Sequence, residues 1–281
     1  MPNSDWTVLL RDYDRPLLLL SFFGTFALLA ALEVWRPRDS RPAARGRRWG
    51  ANGTLTLLYI LTNALAPVSL IAAADFAAER QIGLLHALPI GLPALIAIGL
   101  LVRSLTAWAS HVLLHKSRLL WRIHRVHHLD TGLDVSTSVR FHPLEAVYVS
   151  AFALPIVMVL GVHPAAVLLY ELAEAAQNCF AHANLRLPPA LERMLRLLFI
   201  TPDLHRVHHS SHRPETDSNF GSTLSIWDRI FGTYREKPQD ALASQEIGLE
   251  ECRDSRTVSV PWLLASPLLE LKSGHGAERA A

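Results

Sequence analysis

Long apolar runs alternate with short polar, arginine-rich stretches through most of this chain, and the runs have the length of membrane-crossing helices, not the spaced periodicity of helices on a soluble core. From Leu17 to Trp35 a single charge, Glu33, interrupts the apolar residues. As a helix this stretch spans roughly 28 Å at 1.5 Å per residue, about the hydrocarbon thickness of a bilayer. Arg36, Arg38, Arg41, Arg45, Arg47 and Arg48 follow against a lone Asp39, an excess that assigns the loop to the cytoplasm and the N-terminus to the outside. A second crossing is expected over about Thr54 to Ala74, leading to a short outer loop with Asp75, Glu79 and Arg80. A third begins near Leu92, after Pro89, and runs as a helix to His115. It contains Arg103, so that part should face protein or the interface, because an arginine facing lipid is expensive. Leu144 to Leu160 goes out, Gly161, His163 and Pro164 signal a turn, and Ala165 to Ala181 returns. Leu191 to Ile200 reads as a short basic amphipathic helix in the interface plane.

The expected architecture is therefore all-α: a polytopic membrane helical bundle of about four membrane-entering units with a cytoplasmic histidine-rich cap. Three regions are expected, with anchor helices over 1–91, a catalytic region over 92–234 and a polar C-terminal tail over 235–281, disordered from Ser273. The first run lacks a small-residue cleavage site and is expected to stay as an anchor. Hydrophobic residues make up 50% of the 281, and the net charge of +2 is too small to argue for nucleic acid. The two cysteines, Cys179 and Cys252, do not suggest a disulfide framework.

The chemistry is carried by histidine. His205, His208 and His209 repeat the spacing of His124, His127 and His128, and on a helix positions i, i+3 and i+4 share a face. His111 and His115 add an i, i+4 pair, and His182 ends an apolar helix. Imidazole is the commonest metal-ligating side chain, and nine rings exceed the roughly four to six positions of one ion, which points to a two-metal site. Ligand type alone leaves zinc, iron, copper and nickel open. Glu171, Asn178 and His182 lie at i, i+7 and i+11, one helix face, which should look into the site. Glu174 and Gln177 also could not face lipid.

The ordered segments HVLLH, HRVHH, FAHAN, HRVHH, DSNFG and WDRIFGTY resemble the fatty acid hydroxylase and sterol desaturase superfamily of integral membrane oxygenases, over about Leu95 to Tyr234. The resemblance implies two iron ions, dioxygen as co-substrate, a separate electron donor (a ferredoxin, cytochrome or reductase) and a membrane lipid substrate, fatty acyl or sterol-like, that is hydroxylated or desaturated. It implies ligand roles for His111, His115, His124, His127, His128, His182, His205, His208 and His209. Some relatives place a further histidine where this chain has Asn178, which could hydrogen-bond a ligand. Supporting positions are expected for Glu171, His142, His212, Asp217 and Asn219; of these Asp217 and Asn219 suit the fixing of a histidine tautomer. His142, in RFHPLE, precedes a proline and is read as supporting or structural. His86, His163 and His275 are not expected to bind metal. In WDRIFGTY, Trp227 and Phe231 are expected to be buried in a closing segment. The competing reading is a non-enzymatic membrane metal carrier or sensor, which would spread its ligands along a crossing path instead of gathering them at one face.

Overall fold

A computed structural model describes residues 13–39 and 45–271. Arg41 and the tail from Ser273, with His275, lie outside the described residues. The principal helices are α1 (Asp14–Trp35), α2 (Arg45–Ala64), α3 (Leu70–Glu79), α4 (Leu92–Lys116), α5 (Arg118–His128), α6 (Pro143–Leu160), α7 (Pro164–His182), α8 (Pro189–Leu195) and α9 (Pro202–His208). Shorter helical turns complete the cap, and no sheet forms among the described residues. The chain is an all-α membrane helical bundle. Three helices, Pro16–Trp35, Leu92–Lys116 and Pro143–Leu160, are long and apolar enough to cross a bilayer. Their outward faces carry large apolar side chains: Leu20 is 70% exposed and Val159 63%.

The continuous crossing expected over 54–74 does not form. α2 ends at Ala64 and α3 starts at Leu70. Pro67 disfavours helix at Ala66 before it, and the Ser69 hydroxyl accepts a hydrogen bond from the Ala72 amide at 3.1 Å, starting a new helix. The first half of α2 turns inward, with Arg48, Asn52 and Leu55 fully buried. The basic helix expected to reach Ile200 ends at Leu195.

α1 packs along α7, and α7 also packs on α4. A side chain at Gly99 of α4 would place its Cβ 2.5 Å from Cβ of Ala166, so glycine allows these two helices to approach. α6 turns back into α7 through Gly161, whose φ of +67° suits glycine and whose amide donates to the Val157 carbonyl at 2.9 Å. Consequently α4 and α7 both end at the cap, each with histidines in its last turns.

One buried polar network ties the cap to α2. Arg48, 1% exposed, donates to both oxygens of Asp130, to Asp134 at 2.8 Å and to the Gly132 carbonyl at 3.0 Å. Asn52 donates to Asp130 at 3.1 Å and accepts from Arg140 at 2.8 Å, while Arg140 also donates to the carbonyls of Val126 and Thr257. Arg38 pairs with Asp203 and Arg206 with Asp39, so the arginine-rich loop is bonded directly to α9. The segment after Tyr234 reads as polar, yet Leu242, Leu249, Cys252 and Leu263 are buried, the last three against Leu55, Val126 and Leu129. It folds over the cap.

Candidate metal centre

The nine histidines meet in two groups. His111, His115, His124, His128 and His208 each offer a ring nitrogen within 4.8 Å of the others, and so do His127, His182, His205 and His209. Each His-X-X-His-His cluster is divided between the groups, and helical geometry explains how. At about 100° per residue, positions i and i+4 are nearly in line, whereas i+3 and i+4 diverge by about 100°. His124 and His128 therefore turn to one group and His127 to the other; His205 and His209 likewise separate from His208. The two clusters interlock, each sending its odd ring to the other's pair.

The hydrogen bonds on the outer ring nitrogens determine what faces inward. Nδ1 of His111 lies 2.8 Å from the Phe220 carbonyl, Nδ1 of His208 lies 2.7 Å from that of Ser218, and Nδ1 of His182 lies 2.8 Å from that of Asn178. Nδ1 of His124 meets Glu145 at 2.9 Å and that of His115 meets Asp217 at 3.2 Å. Carbonyl and carboxylate oxygens only accept, so in each case Nδ1–H donates and, in the neutral ring, Nε2 keeps its lone pair. The Nε2 atoms of His111 and His124 are nevertheless 3.1 Å apart. Two lone pairs facing each other cannot bond. Nε2 of His115 and of His208 are also buried without a hydrogen-bond partner. Convergent lone pairs in a dry space are the donor arrangement a cation satisfies, and the residues fit two metal ions.

Burial, with the neighbouring rings adding to it, holds His127, His128, His205 and His209 well below the usual imidazole range. Burial also pushes His208 down to about 3, against the opposing hydrogen bond to the Ser218 carbonyl. Neutral imidazole is the ligating form.

The remaining expected positions divide. Asp217 accepts from His115 and also pairs with Lys116 at 3.1 Å. Asn178 donates through its side chain to the Ser138 carbonyl at 2.7 Å. Glu171 lines the adjoining cavity. His142 caps α6, its Nδ1 accepting from the Leu144 amide at 3.1 Å and its Nε2 donating to the Leu264 carbonyl. His163 caps α7 in the same way. His212 joins neither group. Asn219, at φ +52°, clamps the backbone by donating to the carbonyls of Leu204 and Arg235, and contacts no ring through these bonds.

Two acidic residues were not anticipated. Glu145 is the one charge in an otherwise apolar α6, a signal that the neighbouring His142 obscured. Asp228 is fully buried and accepts from Trp108 Nε1 at 3.0 Å and from the amides of Phe220 and Gly221 at 2.8 and 2.9 Å. It thereby fixes the peptide whose carbonyl orients His111. In the closing segment it is Asp228 that is buried; Phe231 is 52% exposed, stacked on Trp108 with ring centroids 4.5 Å apart.

A cavity of about 510 Å³ opens beside the centre, reached by His111, His124, His127, His182 and His205 and walled by Leu18, Phe22, Val149 and Phe152 among others.

The fatty acid hydroxylase family model matches residues 96–233. Ornithine lipid hydroxylase OlsE of Rhizobium tropici is 31% identical over 156 residues, 55% of this chain and 45% of that protein. Alkylglycerol monooxygenase of Homo sapiens is 31% identical over 131 residues, 44% of this chain and 27% of that protein. A cholesterol 25-hydroxylase-like protein of Danio rerio is 30% identical over 125 residues, 44% of this chain and 48% of that protein. The chain thus spans less than half the length of these relatives. No solved structure gives a significant match.

Proposed function

The chain belongs to the fatty acid hydroxylase and sterol desaturase superfamily through residues 96–233, and from that premise we propose that it is a membrane enzyme that hydroxylates a C–H bond of a membrane lipid, using two iron ions, dioxygen and electrons from a separate donor protein. The observation that carries the proposal is the division of nine rings, eight of them on buried residues, into groups of five and four at the end of an apolar-walled cavity. A carrier would need ligands along a path across the bilayer; these rings gather at one end of α4 and α7.

Iron held in the two groups would supply the reduction of dioxygen and the removal of hydrogen from an unactivated carbon. The balance for hydroxylation is one C–H bond and one dioxygen converted, with two electrons and two protons, to an alcohol and water. Desaturation draws on the same oxidant and removes a second hydrogen from the lipid. Hydroxylation ranks first because it needs one C–H bond only, and the named relatives are hydroxylases and monooxygenases.

The chain's own contribution is to hold and to exclude. Phe220, Ser218, Asn178, Glu145 and Asp217 orient the rings, and the cavity walls keep water from the reacting carbon while a lipid chain or ring enters from the bilayer. A cytoplasmic position of the centre is part of this reading, supported by the excess of basic residues in the arginine-rich loop, which is bonded to α9 through Arg38–Asp203 and Asp39–Arg206.

The test is comparative lipid mass spectrometry of cells with and without the protein, grown under heavy dioxygen. A lipid heavier by one labelled oxygen is expected. Loss of two hydrogens without label would move the assignment to desaturation. No altered lipid, with the protein iron-loaded and reduced, would refute lipid oxidation.

A further inference from the structure

Arg103 is an anomaly in the wall of the cavity. It sits midway along α4, is 4% exposed and lines the cavity. Its Nε is buried without a hydrogen-bond partner. The guanidinium lies over the Tyr170 ring, 5.1 Å from the centroid, a face contact that does not use the in-plane Nε–H donor. Arginine cannot shed its charge, and an unsatisfied cation in a dry site is costly. Glu174 lines the same cavity; its Oε1 accepts from the Tyr170 hydroxyl at 3.1 Å, and Arg103 is the cation acting on its carboxylate.

The register of these residues is informative. Arg103 precedes His111 by eight positions on α4, and Glu174 precedes His182 by eight on α7. The helices pack together and both run toward the cap. Arg103 and Glu174 therefore lie in one layer, ~12 Å along the helix axes from the histidine layer at 1.5 Å per residue. The apolar walls of the cavity, including Phe22, Val149 and Phe152, complete the chamber.

We propose that Arg103 and Glu174 form a polar subsite that holds a neutral hydroxyl group of the lipid substrate, remote from the carbon that is oxidised. This rests on reading the cavity as the lipid site. A hydroxyl both accepts and donates, so it can take a hydrogen bond from Arg103 and give one to Glu174. A carboxylate or phosphate would gain from Arg103 but would be brought into a cavity that also contains Glu171 and Glu174. An unsubstituted hydrocarbon would leave the guanidinium unsatisfied. The substrate class is thus a long or ringed alcohol that rests its hydroxyl on Arg103 and Glu174 and presents a carbon ~12 Å away to the histidine centre.

The experiment is competitive displacement of a radiolabelled fatty alcohol from the full-length protein in phosphatidylcholine nanodiscs, with the unlabelled alcohol, the fatty acid of equal length and the alkane of equal length as competitors. Wild type should bind the alcohol roughly tenfold or more tightly than either competitor, the scale of a hydrogen bond to a charged group. Arg103→Met should weaken alcohol binding by a similar factor while leaving the alkane and the bound iron unchanged. Glu174→Gln, which keeps the side chain's shape, should instead strengthen binding of the fatty acid relative to the alcohol. Wild type preferring the acid, wild type binding no alcohol saturably, or Arg103→Met retaining full alcohol affinity would each overturn the subsite. Binding is read without turnover, so a failure to find an oxidised lipid counts against the reaction and leaves the subsite standing.

Discussion

Replacement of Arg48 by methionine tests how the cap is held on the bundle. Arg48 is 1% exposed and supplies the countercharge in contact with two buried carboxylates, Asp130 and Asp134, just after the first histidine cluster. Methionine fills a similar volume and leaves both carboxylates stranded, which costs roughly 3–5 kcal/mol when one partner of a buried pair is removed. Asp130 retains Asn52 at 3.1 Å and Thr137 at 2.9 Å, and Asp134 retains Ser136 at 2.6 Å, so the lower end of that range applies. For a chain of this size about 3 kcal/mol lowers Tm by roughly 6–12 °C, read by tryptophan fluorescence in detergent. Converting Asp130 and Asp134 to asparagine in the same variant should recover most of the loss, because the stranded charges are then gone. The effect has a defined pH sign. Burial pushes the Asp130 carboxyl up, but Arg48 and Arg140 outweigh it and hold it at about 2 against an ordinary 3.8. A depressed carboxyl stabilises the fold above its unfolded pKa and ceases to do so as pH falls through the folded one. Its contribution of ~2 kcal/mol is thus present above about pH 4 and lost between about 4 and 2. The gap between wild type and variant should begin to narrow as pH falls through the raised pKa of the variant's stranded carboxylates and should continue to narrow down to about pH 2. A variant that melts within about 2 °C of wild type, or a triple variant no better than Arg48→Met alone, would refute the reasoning.

Two further outcomes follow from the centre and its orientation. His208→Ala and His127→Ala remove one ring from the five-ring and the four-ring group respectively; each should lower bound iron and abolish turnover while the protein stays inserted, whereas His142→Ala, which removes only a helix cap, should cost about 1 kcal/mol of stability and keep its metal. Full iron and activity in His208→Ala or His127→Ala would show that the ring is no ligand. Single cysteines at Arg45 and at Ser211, in a background lacking Cys179 and Cys252, should both resist membrane-impermeant thiol reagents in intact cells, and labelling of either from outside would reverse the topology.

Local spacing made much of this protein readable in advance. The apolar runs at 17–35, 92–115, 144–160 and 165–181 became helices within a residue or a few of their expected ends, because length and hydropathy are properties of a segment and not of its surroundings. The histidines were visible for the same reason: a helix carries i, i+3 and i+4 on neighbouring lines wherever it is placed. Tertiary structure decided everything that depends on the rotation of one helix against another. The spacing alone says that His127 and His128 diverge, but only the tertiary placement of the two histidine clusters around one centre sends His127 to His205 and His209 and brings His208 to His124 and His128. Glu145 and Asp228 looked unremarkable as letters, and Arg103 stood out only as a charge that should not face lipid, because their importance lies in what they face: a ring, two backbone amides and a cavity. The run at 54–74 failed as a single crossing because Pro67 broke its backbone while Arg48 and Asn52 drew the start of α2 inward. Those partners sit some eighty residues away in the chain, a separation that hydrophobic periodicity does not register.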